Sequence, residues 1–329
     1  MKKKSLATLG LLAASALVLS GCTDSAAPPE SDTGDTGDAP AEVTTIRVAA
    51  LPIAETGALW AAIDEGIFAD HGLEVEVVPA QGGAQAIPAL LSGDIQFAIG
   101  QPFGPIRADL QDLGVAIIGD YADSLADGDD VNAVVALADS GIATPKDLSG
   151  KRVSVNSLGA AGDLTIRAAV DADGGDSSTV EFIEVAFPEV KAQLEAGTID
   201  AAWAPDPFRG MVLGEGGVSV MAPYQAVIPG LSVLTNITTQ ELIDSDPELV
   251  AAYSEAMAEA LDFAASNEDA VYAAIAEGLD IPLEAAQTIV LPTFTFEMDV
   301  DSIKTLADLA VQYEYIDEAP DLDRLIQQQ

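Results

Sequence analysis

Side chains that could do covalent or metal chemistry are scarce in this chain. One cysteine, Cys22, and one histidine, His71, serve all 329 residues. A Ser-His-Asp triad would have to use His71, and no Gly-x-Ser-x-Gly elbow occurs to present a nucleophile. No Gly-x4-Gly-Lys-Ser/Thr phosphate loop occurs either. One His and one Cys cannot build a structural zinc site. The acidic run at 120–130, DYADSLADGDD, lacks the spacing of an EF-hand and reads as a solvated loop. His71, in FADHGLEVE, reads as an exposed loop residue. No catalytic residue, metal or cofactor is therefore expected.

What remains is binding chemistry, and it sits where apolar runs end. Glu55 and Thr56 follow the first such run, and Trp60, a turn later, offers a flat face for stacking or a core contact. Gln81, Gly82 and Gly83 precede a helical pattern. Paired glycines there let backbone N–H groups approach a ligand, or simply turn the chain. Gln101 carries both a donor and acceptors. Asn156 and Ser157 stand between a strand and a helix, where they serve a ligand, an N-cap, or both. Trp203 and Asp206 close a later strand, with Arg209 beside them. Trp60, Trp203, Phe103 and Phe208 supply planar faces, and Glu55 and Asp206 negative charge. Together they favour a polar, nitrogen-bearing or heteroaromatic ligand over a sulfonate or nitrate, although amides at helix N-termini would suit an anion.

These loops need a scaffold. From Ile46 on, short apolar strands alternate with helical patterns: IRVAAL, ALWAAIDEG, LEVEVV, GAQAIPALLSG, IQFAIG, GPIRADLQDL, VAIIGDY and NAVVAL. The rhythm restarts with KRVSVN, DLTIRAAVDADG, VEFIEV, PEVKAQLEAG, DAAWAP and PFRGMVLGEG, continues with the strands VSVMAPY and LSVLTN, and turns helical beyond Thr239, from PELVAAYSEAMAEALDFAAS on. A βαβ rhythm predicts an α/β architecture with mostly parallel sheets. ALLSGDIQFA at 89–98 can be laid over QLEAGTIDAA at 193–202, a helix–Gly–strand unit in each, so two lobes of similar build are expected. Ligands of open α/β sheets sit beyond the carboxyl ends of the strands. Two such edges face to face make a cleft, the usual place for a small-molecule pocket.

The N-terminus reads differently. Lys2, Lys3 and Lys4, a nearly uncharged run to Ser20 and the small Gly21 have the layout of a secretory leader. The ending Leu-Ser-Gly-Cys resembles the bacterial lipobox, which makes Cys22 the expected lipidation point. Residues 22–43 carry six acids and no base, the composition of a disordered tether. The formal net charge is −41, and without the three leader lysines it is −44. That argues against nucleic acid as a partner and against broad contact with anionic lipid. It fits a solvated acidic surface, a salty habitat, or a field that attracts cations.

EGIFADHGLEVE, the following GGAQ, ALLSGDIQFA, SGIATPKDLSGKRVSV and LEAGTIDAAWAPDPF, in this order, resemble bacterial solute-binding proteins. These serve ABC importers of nitrate, sulfonates, taurine and thiamine pyrimidine precursors, and the likeness runs from about residue 46 to about 265. The resemblance implies a type II periplasmic-binding-protein fold: lobe I from 44–131 plus 232–329, lobe II from 132–231, and an interlobe cleft that closes on the ligand. It implies that the loops of Glu55, Gln81, Gln101 and Asn156 face the ligand. In amine-binding relatives the acid at the place of Asp206, commonly a Glu, meets the ligand's nitrogen; Asp206, one methylene shorter, serves that contact or caps a helix beside Arg209. The implied partners are a small molecule, an ABC permease and its ATPase. The implied place is the extracytoplasmic face of the membrane, as a monomer held by the lipid on Cys22. A sensory lipoprotein is an alternative. An enzyme like the fungal thiamine-pyrimidine synthases is another, but those consume an active-site His and carry a cysteine-rich motif that is absent here.

Overall fold

The computed structural model describes residues 43–80 and 83–328. The expected leader at 1–21, Cys22, the acidic stretch through residue 42, and Gln81 and Gly82 lie outside the described residues.

In chain order the strands are β1 (Thr44–Ala50), β2 (Leu73–Pro79), β3 (Phe97–Gly100), β4 (Val115–Asp123), β5 (Asn132–Ala136), β6 (Arg152–Val155), β7 (Glu181–Glu184), β8 (Ala201–Pro205), β9 (Val218–Met221), β10 (Ser232–Thr239) and β11 (Thr293–Phe294). They form a six-stranded sheet, β11-β4-β10-β3-β1-β2, and a five-stranded sheet, β7-β6-β8-β5-β9. The first ten coincide with the apolar runs of the sequence. β11, two residues long, is too short to leave a pattern.

Set side by side, the two sheets repeat one order. β2-β1-β3-β10-β4 matches β7-β6-β8-β5-β9 strand for strand. The repeat extends to side chains. Arg47 N donates to Gln96 Oε1 at 2.9 Å and Arg47 Nη1 to the Asp94 carbonyl at 2.6 Å. Arg152 N donates to Asp200 Oδ2 at 2.8 Å and Arg152 Nη1 to the Thr198 carbonyl at 2.6 Å. Gly93 and Gly197, aligned in the sequence, end their helices at φ 76° and 65°, a left-handed conformation that glycine adopts without penalty.

The expectation of mostly parallel sheets needs correction. Four strand pairs are parallel and five antiparallel. The reversed strands include β5 and β10, where the chain passes from one sheet to the other and back. A chain arriving from the facing sheet enters against the direction of the local βαβ strands. Periodicity reports burial, not direction, so the sequence pattern could not reveal this.

The carboxyl-side helices brace the six-stranded sheet. Pro247–Ser266 starts at Asp246, whose side chain accepts the Leu249 N–H. It buries Val250, Tyr253, Met257, Ala260, Leu261 and Ala264, the i, i+3, i+4 stripe of an amphipathic helix. The Tyr253 ring stacks on Phe97 with centroids 3.7 Å apart, and its hydroxyl donates to Asn236 Oδ1 at 2.8 Å. Among the described residues, no helix is long and apolar enough to cross a membrane.

The run at 120–130 is only partly the solvated loop expected. Asp120 and Asp130 are buried. Asp130 accepts from Ser124 Oγ at 2.7 Å and from the N–H groups of Leu125 and Val131, both at 2.9 Å. It thus ties the chain as it leaves β4 for β5. A buried carboxylate surrounded by donors replaces the solvent it gives up. Among the described residues, no group of three His, Cys, Asp or Glu could hold a metal ion.

Candidate functional site

A cavity lies at the carboxyl ends of the parallel strands of both sheets. β1 leads into Leu51, Ile53 and Glu55, and β3 into Gln101, Phe103 and Arg107. β6 leads into the loop Asn156–Ala160, β8 supplies Trp203 and Pro205, and Asn132 opens β5. About 80 Å³ is open to the centre of a water-sized sphere. That is several times the roughly 10–15 Å³ a cavity needs to hold one water.

On the six-stranded side, the loop after β1 is closed by Thr56 Oγ1, which donates to the Leu51 carbonyl at 2.6 Å. The buried Tyr121 hydroxyl donates to the Glu55 carbonyl at 3.1 Å and accepts from Leu59 N at 3.0 Å. This pins the Glu55 backbone while its side chain enters the cavity. Glu55 is 3% exposed. Its Oε2 is buried with no hydrogen-bond partner among the described residues. Burial, assisted by Asp206 and Asp130, pushes the carboxyl up to about 8, against a hydrogen bond from its own backbone and the Arg209 charge. The group is thus held protonated at neutral pH.

On the five-stranded side, the turn Asn156–Ala160 leads into the helix Ala161–Ala172. Its amides point inward onto acids of the protein itself. Gly159 N and Ala160 N donate to Asp163 at 2.9 and 2.8 Å, and Leu158 N to Glu184 Oε2 at 3.3 Å. An anion at this turn would have to displace these carboxylates; the other amide loop suggested by the sequence, at 81–83, lies partly outside the described residues. Trp203 Nε1 donates to Asn132 Oδ1 at 2.8 Å, and Phe187 meets Trp203 edge-on at 5.6 Å.

Of the candidates from the sequence, Glu55, Gln101, Asn156, Ser157 and Trp203 come together around this cavity. Thr56 supports the loop from behind. Trp60 faces elsewhere: its ring covers Gly278, where an added Cβ would sit 2.6 Å from Cε3. Gly83 opens the helix Gly83–Leu91. Asp206 does not line the cavity. Its carboxylate pairs with Arg209 Nη2 at 2.6 Å and accepts Gly210 N at 2.9 Å. With one methylene less than Glu, it ends in that ion pair. Burial raises its pKa while Arg209 opposes the rise. Asn132, Phe187 and Arg107 also line the cavity, and the pattern reading missed them. The only trace of Asn132 in the sequence is a polar residue heading the apolar run NAVVA. His71 does not line this cavity; its Nε2 lies 2.8 Å from Glu259 Oε2 in a hydrogen bond.

Several contacts bridge the two sheets. Arg107 Nη1 donates to the Gly159 carbonyl at 3.1 Å, and Ala54 N to the Asp206 carbonyl at 3.1 Å. From the carboxyl-terminal region, the Tyr315 hydroxyl reaches Asp163 at 3.1 Å and accepts from Arg167 Nε at 3.0 Å. The Tyr313 hydroxyl reaches Asp171 at 2.9 Å. They tie the two sheets together beside the cavity.

Two βαβ sheets of matching order, joined by crossing strands around a cavity, make the periplasmic-binding-protein class of fold. The chain belongs to the family described as NMT1/THI5 like, whose profile matches residues 54–271. The formylaminopyrimidine-binding protein of Halalkalibacterium halodurans is 26% identical over 214 residues, 64% of this chain. The match spans 63% of that relative's length. The alkanesulfonate-binding protein SsuA from Xanthomonas axonopodis pv. citri, solved bound to MOPS, superposes with a TM-score of 0.75 at 15% identity, covering 88% of this chain and all (100%) of that one. The desulfurization enzyme DSZB superposes with a TM-score of 0.65 at 16% identity, covering 87% of this chain and 96% of that one. At such identities the likeness speaks to fold alone, and function has to be argued from the site.

Proposed function

We propose that this chain is the extracytoplasmic solute-binding lipoprotein of an ABC importer, capturing a small nitrogen-bearing or heteroaromatic molecule. It acts by binding rather than turnover, as a monomer anchored through Cys22, and hands its ligand to a permease and ATPase. Residues 44–131 with 232–329 form one lobe and 132–231 the other, and the ligand is taken up as they close. One observation carries the ligand class. The cavity offers a buried carboxyl at Glu55 beside aromatic walls, while the amides of Leu158, Gly159 and Ala160 already serve acids of the protein. The name of the Halalkalibacterium relative points the same way.

The test is a thermal-shift and calorimetric panel on the purified chain: aminopyrimidines, amines, taurine, alkanesulfonates and nitrate. A ligand at about 100 times its dissociation constant stabilises by about 2.7 kcal/mol. A shift with the nitrogen heterocycles is expected. A shift with sulfonates or nitrate alone would overturn the ligand class, and no shift with any compound would overturn the solute-binding reading.

A further inference from the structure

We propose that Glu55 and Asn132 are the selectivity determinants of the cavity, reading an amino group beside a ring nitrogen and a second ring nitrogen of one heterocycle. This rests on the cavity being the ligand site.

The argument begins with two atoms. Glu55 Oε2 and Asn132 Nδ2, buried polar atoms of the cavity lining, have no hydrogen-bond partner among the described residues. Both residues are nearly inaccessible, at 3% and 1% exposure. A buried polar group without a partner costs about 1–3 kcal/mol, and a native structure tolerates it where something else arrives to complete it. The two come from opposite sheets, Glu55 after β1 and Asn132 at the head of β5, so one ligand completes both only when the cavity is closed.

The orientation of Asn132 is not free. Trp203 Nε1 can only donate, so the oxygen of the Asn132 amide must face it, as observed at 2.8 Å. The amide nitrogen is left for the ligand, which must present an acceptor. Glu55 is likewise held, its backbone carbonyl fixed by Tyr121. Arg209, whose charge acts on it, spends its two terminal nitrogens on the Asp130 carbonyl and Asp206. The ligand is left to complete the Glu55 carboxyl. An amino group next to a ring nitrogen does so with a donor and an acceptor side by side. The single proton between carboxyl and ring nitrogen can rest on either without moving a heavy atom. A second ring nitrogen then meets Asn132 Nδ2. Trp203 and Phe187 beside the pair supply flat apolar wall for such a ring. The amides of Leu158, Gly159 and Ala160, already bonded to acids of the chain, leave that turn closed to an anionic group.

Three small probes separate the two contacts: 4-aminopyrimidine has both, pyrimidine lacks the amino group, and 2-aminopyridine lacks the second ring nitrogen. Binding is read by calorimetry and by Trp203 fluorescence in a Trp60→Phe background. A site built to pair a polar group rejects analogues lacking it, because its own group stays buried and unpaired. Pyrimidine and 2-aminopyridine should each bind the unaltered chain at least about tenfold more weakly than 4-aminopyrimidine. Glu55→Met should erase the preference over pyrimidine. Asn132→Asp, which keeps the Trp203 bond but replaces the donor with an acceptor, should erase the preference over 2-aminopyridine. The analogue series on the unaltered chain decides even if a variant folds poorly. Equal binding of the three probes, or variants that keep both preferences, overturns the inference. Binding of an alkanesulfonate with no discrimination among the heterocycles overturns it while leaving solute binding standing. No binding of any compound overturns both.

Discussion

The six-stranded and five-stranded sheets share a plan but not a surface. The equivalence continues past the strands: Gln101-Pro102-Phe103 follows β3, and Asp206-Pro207-Phe208 follows β8. At matching places, Gln101 donates to the Tyr224 hydroxyl at 2.8 Å and lines the cavity, whereas Asp206 turns away into its pair with Arg209. After β1 comes a loop with a buried carboxyl. After β6 comes a loop whose amides are tied to Asp163. Repeated parts build the frame, and unequal loops make a cavity with one acidic and one amide-bearing, aromatic wall. A symmetric frame with asymmetric loops suits a ligand whose edges differ.

The largest effect is expected from the two tryptophans, Trp60 in the helix Gly57–Asp64 and Trp203 in β8. Trp203→Ala empties a buried aromatic site and frees Asn132, costing about 3–5 kcal/mol and most of the ligand affinity. Trp60→Ala, away from the cavity, should lower the melting temperature and leave affinity intact. Denaturation and calorimetry on both variants check this, and equal losses of affinity would break the contrast.

Next is Glu55, whose counterpart across the cavity is an uncharged amide. Its folded pKa of about 8 lies above the ordinary 4.5, so the folded chain keeps a proton that the unfolded chain releases. Stability from this group is full below about 4.5 and is lost as pH rises toward 8. Glu55→Gln removes the loss. Its gain in unfolding free energy, read by chemical denaturation, should be small near pH 5 and grow toward pH 8, by roughly 2–4 kcal/mol at about 1.4 kcal/mol per pH unit. A gain independent of pH would show that the carboxyl is ionised in the folded protein.

The smallest effect separates the repeated arginines. Arg152 meets both oxygens of Asp200 and the carbonyls of Gly197 and Thr198. Arg47 holds one carbonyl and a looser contact to Glu76 at 3.4 Å. Thermal unfolding should show Arg152→Ala less stable than Arg47→Ala, with ligand affinity unchanged in both.

The sequence by itself determined the ten main strands, the long helix from Pro247, and the repeat between 89–98 and 193–202. Each rests on local periodicity or on a glycine that must end a helix, and such signals lie within a few residues of one another. It also named Glu55, Gln101, Asn156, Ser157 and Trp203 as polar or aromatic residues at strand ends. The tertiary structure alone decided strand direction, because burial patterns are the same for parallel and antiparallel neighbours. It alone separated Trp203 from Trp60 and turned Asp206 away from the cavity, since each outcome depends on a partner far along the chain or on a side chain one methylene short. It alone brought Asn132 opposite Glu55. Seventy-seven residues part them in the sequence, and only folding leaves a buried donor and a buried carboxyl oxygen, each without a partner, around one cavity.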